Sequence, residues 1–134
     1  MALITYLDSN CLIAVTDAEP QRRAKVQALL DDPRRAFIYS PFTVLETLSL
    51  ALHYGKTAKA RFYRQHFNQC LFISDKLDLI LQEAHRQAES YGIASVDACH
   101  IAAAVVVSAD EFYTFEKPTK PMFRTREIKV FSLL

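Results

Sequence analysis

Apolar residues follow two rhythms along this chain: short continuous runs, and longer stretches where they recur every three or four positions. Leu3-Ile4-Thr5-Tyr6-Leu7, within residues 2–7, is a run of the first kind. It is closed by the polar trio Asp8-Ser9-Asn10 and predicts a buried strand. A short helix follows near 10–16, and a second begins at Glu19-Pro20 with the proline in its first turn. Val26, Leu29 and Leu30 give that second helix one apolar face, and Asp31-Asp32-Pro33 stops it. Ala36-Phe37-Ile38-Tyr39 predicts the second strand. Ser40-Pro41 then reads as a cap followed by a first helical residue. The helix opened there carries Val44, Leu45, Leu48 and Leu52 and is expected to run to Gly55.

Another helix is predicted over about 57–69, and Leu71-Phe72-Ile73 is the third strand. Ser74 or Asp75 is positioned to cap a long amphipathic helix that ends at Tyr91-Gly92. Ser95 is read as the cap of the next helix, which is apolar nearly all round and therefore expected to be central. Glu111 to Phe115 and Ile128-Lys129-Val130-Phe131 supply a fourth and a fifth strand. Strands separated by helices imply a parallel sheet covered on both faces. No repeat, linker or low-complexity stretch interrupts the pattern, so residues 1–134 are expected to form one α/β domain.

Composition narrows the function classes more than the fold. Hydrophobic residues make up 51% and charged residues 23%, an ordinary globular balance. The formal charge is +1, so any nucleic-acid contact must come from a local patch. Only two glycines occur, which excludes a glycine-rich phosphate loop and a dinucleotide fingerprint. Cys11, Cys70 and Cys99 are far apart and form no CxxC pair, so they read as free thiols of a reducing cytoplasm. No basic n-region opens the chain, and no run nears the roughly 20 apolar residues of a membrane helix. A cytoplasmic protein without membrane contact is the expectation.

Against that background, four acids are placed by the pattern: Asp8, Glu46, Asp97 and Glu116. Asp8 and Glu116 follow predicted strands, and Asp97 opens the apolar helix. Glu46 lies in the second turn of the helix that starts at Pro41. In open parallel sheets ligands bind beyond the carboxyl ends of the strands, where these four can converge. Carboxylates brought together must be relieved by protonation or by a cation, and a hard cation such as magnesium takes oxygen ligands. Each acid also has a plainer reading. Asp8 suits a helix cap, Asp97 a helix dipole, Glu46 a solvated helix face and Glu116 a surface turn.

The stretches that hold these acids resemble the PIN-domain nucleases, and at this length the VapC-like toxins of type II toxin–antitoxin pairs. The resemblance rests on Tyr6-Leu7-Asp8-Ser9-Asn10, Ser40-Pro41 through Val44-Leu45-Glu46, Asp97-Ala98-Cys99-His100-Ile101-Ala102-Ala103-Ala104 and Ala109-Asp110-Glu111-Phe112-Tyr113-Thr114-Phe115-Glu116. It implies a Rossmann-like fold of about five parallel strands flanked by helices. It also implies an endoribonuclease that needs Mg2+ or Mn2+, a cognate antitoxin and a homodimer. By position Asp8, Glu46 and Asp97 match the family's three central acids, and Glu116 stands where an aspartate is usual. Asp8 and Asp97 would ligate directly or through water, Glu46 would ligate or orient the attacking water, and Glu116 would lie in the outer shell or ligate a second metal. Ser9 replaces the usual threonine and keeps the hydroxyl. Asp110 precedes its strand and is expected at the opposite edge, in a structural role.

Two basic groups flank this set. No acid occurs between Glu46 and Asp75, a stretch holding Lys56, Lys59, Arg61 and Arg64 among Tyr54, Phe62, Tyr63 and Phe67. Those rings suit either base stacking or packing at helical spacing. Lys117, Lys120 and Arg124 follow Glu116 and are candidates, with Ser9, for positioning phosphate. His100, one turn beyond Asp97 on so apolar a helix, reads as a hydrogen-bonded core histidine rather than a base. No histidine has zinc-ligand spacing. The alternatives are a PIN-fold RNA- or protein-binding module without activity, and a phosphoryl-receiving signalling domain. The second would want a phosphorylatable Asp after the third strand, where Ser74-Asp75 stands at a helix start.

Overall fold

Strand β1 (Leu3–Leu7) lies at the centre of a five-stranded sheet, flanked by β2 (Arg35–Tyr39) and β4 (Glu111–Thr114). Beyond them pair β3 (Phe72–Ile73) and β5 (Lys129–Ser132), giving the order β3-β2-β1-β4-β5, all parallel. The computed structural model describes residues 1–134. All five predicted strands are present, with bounds shifted by one or two residues. The order excludes the receiver-domain alternative, which places its third strand beside the first.

The helices are α1 (Ser9–Asp17), α2 (Pro20–Leu30), α3 (Pro41–Glu46), α4 (Leu48–His53), α5 (Thr57–Gln69), α6 (Leu77–Tyr91) and α7 (Ser95–Val105). A short 3-10 turn spans Pro121–Arg124. Alternation along the strands splits the interior into two cores. Tyr6, Ile38 and Phe112 face Ile80, Ala84, Ala98 and Ile101 of α6 and α7. Leu7 and Tyr113 face Leu12, Leu29, Tyr63 and Phe67 on the other side. The run Ile101-Ala102-Ala103-Ala104 is wholly buried, so α7 is central, and its alanines let the backbone lie close to the sheet.

Three local expectations are corrected. The helix expected to run from Pro41 to Gly55 breaks at Thr47, whose backbone leaves helical space at φ −121 and ψ −82. The cause is local competition: Thr47 Oγ1 donates to the Thr43 carbonyl at 2.7 Å. Leu45 and Leu52 on these two helices are 63% and 49% exposed. Neither Ser74 nor Asp75 caps α6: Lys76 takes that position, and the buried Ser74 hydroxyl donates to the Ala103 carbonyl at 2.7 Å. Ser95 is the first residue inside α7, and Ala94 takes the cap position.

At the amino edge of the sheet, Asp110 accepts from the Ile4 amide at 2.7 Å and its own amide donates to the Ile4 carbonyl. Arg35 reaches across β1 to Glu111 at 2.6 Å, and Glu111 also accepts from Thr5 at 2.7 Å. That edge is therefore clamped by polar contacts, while the opposite edge is open. Gly92 ends α6 in the left-handed region at φ +71. A Cβ there would meet Arg124 Nη1 at an ordinary 3.7 Å, so conformation alone sets the cost of a side chain. Gly92→Ala is expected to lower unfolding free energy by about 1 kcal/mol, read from the urea midpoint at unchanged slope.

Candidate active site

Where the strand order reverses between β1 and β4, the chain departs to opposite sides and leaves a crevice beyond the carboxyl ends. Asp8 stands there. Its amide donates to the Tyr113 carbonyl at 2.9 Å, extending the β1–β4 pairing by one bond. Its Oδ1 accepts from the Ser9 amide at 2.9 Å, which caps α1, and its Oδ2 accepts from Thr114 Oγ1 at 2.8 Å. The cap reading of Asp8 thus holds. Thr114 Oγ1 in turn accepts from the Glu116 amide at 3.0 Å and from Asn10 at 3.2 Å, so Asn10 and Thr114 shape the loop.

Glu46 closes α3 and reaches the same crevice. Its Oε1 accepts from Ser9 Oγ at 2.8 Å and lies 2.5 Å from His100 Nε2. The other ring nitrogen, Nδ1, is 2.7 Å from the buried Tyr6 hydroxyl. Ligand-capable atoms of Asp8, Glu46 and His100 all fall within 4.8 Å of one another. His100 is therefore a hydrogen-bonded core histidine on one side and a neighbour of the acids on the other. The signal for the second role was its place three residues after Asp97, which puts both on one helix face.

Asp97 occupies the first turn of α7, and Glu116 follows β4. The two meet through Lys120, whose Nζ is 3.8 Å from Asp97 Oδ2 and 3.7 Å from Glu116 Oε2. Lys117 is exposed, and Arg124 Nη1 donates to the Tyr91 carbonyl at 3.2 Å. In the other basic stretch, Lys59 pairs with Asp17 at 2.5 Å, whereas Lys56, Arg61 and Arg64 line an open groove of roughly 490 Å³ with no salt bridge. Ala51 and Lys56 also line the neighbouring depression that contains Glu46, so the two adjoin. Of the interleaved rings, Tyr63 and Phe67 belong to the core, while Tyr54 is 67% exposed.

This arrangement can be compared with known proteins. The family model of the PIN domain matches residues 5–118. The chain belongs to the PIN domain family. A search of curated proteins finds no match. Among solved structures, the PIN domain is similar to a chain of a toxin–antitoxin complex from Klebsiella pneumoniae, at 19% identity and a TM-score of 0.67. That alignment covers 92% of this chain and 94% of the other. It is also similar to a chain of VapBC2 from Rickettsia felis bound to a DNA fragment from its promoter, at 14% identity and a TM-score of 0.70. A chain of DNA-bound VapBC from Salmonella typhimurium aligns at 12% identity and a TM-score of 0.66. Both alignments cover 97% of this chain and 98% of the other. At these identities the likeness concerns the fold.

The acids of this PIN domain are electrostatically unequal. Burial pushes the Asp8 carboxyl above its ordinary range, against His100 and the Thr114 hydroxyl, and the charge of Asp97 pushes it further. Burial also raises Asp97, with Lys120 opposing and Glu116 adding to the rise. The hydrogen bond from His100 holds Glu46 below its ordinary range, against its own burial and with help from Ser9. Two carboxylates short of counter-charge beside a third that is well satisfied form an all-oxygen set suited to a hard divalent cation.

Because the folded pKa of Asp97 lies above the unfolded one, its contribution to stability is greatest at acid pH and is lost as pH rises through the folded value. The long, partly exposed contact with Lys120 offsets little of this. In EDTA at pH 7, Asp97→Asn is expected to melt higher than the wild type. A gain of about 1 kcal/mol corresponds to roughly 4 °C in a chain of this size. The difference should shrink as pH falls into the ordinary carboxylate range, as followed by thermal unfolding at several pH values.

Proposed function

We propose that this PIN domain is the toxin of a toxin–antitoxin pair and acts as a divalent-metal-dependent endoribonuclease on RNA. The observation that carries the reading is the crevice itself. Asp8 and Glu46 meet at His100 beyond the carboxyl edge of the sheet, Asp97 and Glu116 share Lys120, and burial disfavours the charge on Asp8 and Asp97. The similarity to chains of toxin–antitoxin complexes supports the biological setting.

Asp8, Asp97, Glu46 and Glu116 are the residues proposed to hold Mg2+ or Mn2+. When bound, such an ion supplies charge for the phosphate and acidifies water. The chain's own groups supply the rest. Glu46, fixed at Oε1, is proposed to offer its other oxygen to the ion. Ser9 ties Glu46 to the start of α1, next to Asp8. Lys117, Lys120 and Arg124 are proposed to position phosphate from the loop after Glu116. The groove with Lys56, Arg61 and Arg64 adjoins the depression at Glu46 and is proposed as a path for the rest of the strand.

Lys120 between Asp97 and Glu116 also supports the antitoxin proposal, since an ammonium fits against those acids. A lysine or arginine of an antitoxin segment would recognise the same pair. Apolar surface for a homodimer is available on α6, where Leu77, Leu79 and Leu81 are exposed. No helix is long and apolar enough to cross a membrane.

The deciding experiment is cleavage of a structured RNA with Mg2+ or Mn2+. Asp8→Asn should lose at least about 100-fold in rate, beyond what removal of an outer hydrogen-bond partner costs. A wild type that cuts nothing under either metal would favour the inactive binding module. For the groove, Arg61→Glu and Arg64→Glu should each weaken binding of single-stranded RNA across sequences. Each should also reduce the slope of log affinity against log salt by about 1, measured by fluorescence anisotropy in EDTA.

A further inference from the structure

We infer that His100 is a positioning residue for Glu46: its Nε2–H anchors Oε1 and leaves Oε2 as the oxygen that Glu46 presents to a divalent cation. The inference rests on the metal-dependent reading given above. Two donors converge on Oε1, the Ser9 hydroxyl at 2.8 Å and His100 Nε2 at 2.5 Å. A carboxylate offers only lone pairs, so a ring nitrogen that close must carry a proton.

The far side of the ring explains why that proton stays there. Nδ1 faces the Tyr6 hydroxyl at 2.7 Å, and that hydroxyl lies 2.6 Å from Ser40 Oγ. Tyr6 can accept from Ser40 while donating to Nδ1, and a neutral ring in that arrangement carries its hydrogen on Nε2. Tyr6 is completely buried and stacks on Phe112 at 5.2 Å, with planes 8° apart. Tyr6 and Phe42 meet the His100 ring edge-on at 5.7 and 6.1 Å, so the imidazole cannot swing away. Core packing thus reaches the crevice through one ring.

This assignment divides the cluster of Asp8, Glu46 and His100. A nitrogen that spends its lone pair on a proton cannot ligate a metal, and Nδ1 points into the core. His100 Nε2 is also 3.9 Å from Asp8 Oδ1, too far for a hydrogen bond. What remains toward the crevice is oxygen alone, a set that suits Mg2+ or Mn2+ better than the imidazole-seeking Zn2+. The arrangement follows the rule that outer hydrogen bonds orient the groups that touch a metal.

The metal-free protein labelled with 15N-histidine gives the first test. The His100 ring is expected to show a proton on Nε2, and an unprotonated Nε2 overturns the inference. Mn2+ affinity, read by electron paramagnetic resonance, gives the second. His100→Leu should weaken binding about 10–100-fold, the range typical of an outer partner. His100→Gln, whose amide nitrogen can reach Glu46, should recover most of the loss. Tyr6→Phe keeps the stack, should show a smaller loss, and serves as the second variant if His100→Leu fails to fold. Unchanged affinity in folded His100 and Tyr6 variants overturns the inference, as does a histidine nitrogen coupling to bound Mn2+. Those outcomes leave Asp8→Asn impaired. A wild type that binds no Mn2+, with Asp8→Asn indistinguishable from it, takes down the metal-dependent reading together with this one.

Discussion

The hydrogen bond from Thr114 to Asp8 joins the ends of β1 and β4 at the one place where the sheet changes direction. Everything in the crevice is referred to it. Asp8 cannot rotate without releasing the Thr114 hydroxyl and the Ser9 amide together, so its carboxylate is a fixed point. Ser9 then ties the start of α1 to Glu46, and Glu46 meets α7 at His100. Asp8 and Glu46 are thereby held near one another through Ser9, Thr114 and His100. The repulsion among them is held in place by the fold instead of being relaxed by rotation.

That arrangement has a cost on the stability side. Buried carboxylates of raised pKa are among the few groups here that disfavour the folded state at neutral pH. The rest of the fold offsets it with conventional means: two apolar cores, a buried alanine-rich helix and a polar clamp at the opposite edge. The two edges of the sheet are thus chemically opposite. At the amino edge charges are paired, as in Arg35 with Glu111, and at the carboxyl edge carboxylates crowd together with few partners.

Much of the fold was legible because buried strands and the apolar α7 leave continuous runs that few other structures tolerate. The acids were legible for a related reason, since an acid at the end of an apolar element has few purposes. What stayed hidden depended on a choice between partners distant in sequence or close in energy. Thr47 chose the Thr43 carbonyl over continuing the helix, and Ser74 chose Ala103 over capping α6. Neither choice has a local signature. His100 was hidden by its surroundings, because an apolar helix describes one side of its ring and says nothing of Glu46, 54 residues earlier in the chain. The strand order likewise depends on which edges pair, which periodicity does not encode.

Lys120 gives the crevice a further property. With its ammonium shared between Asp97 and Glu116, that end of the site holds a counter-ion belonging to the chain itself. Any incoming cation there, whether an ion or a partner's side chain, takes the place of one already present. Were such a cation to enter, its loading would be an exchange, with a free energy equal to the difference between two ion pairings. The loop carrying Lys120 would have to give way as the acids took their new partner.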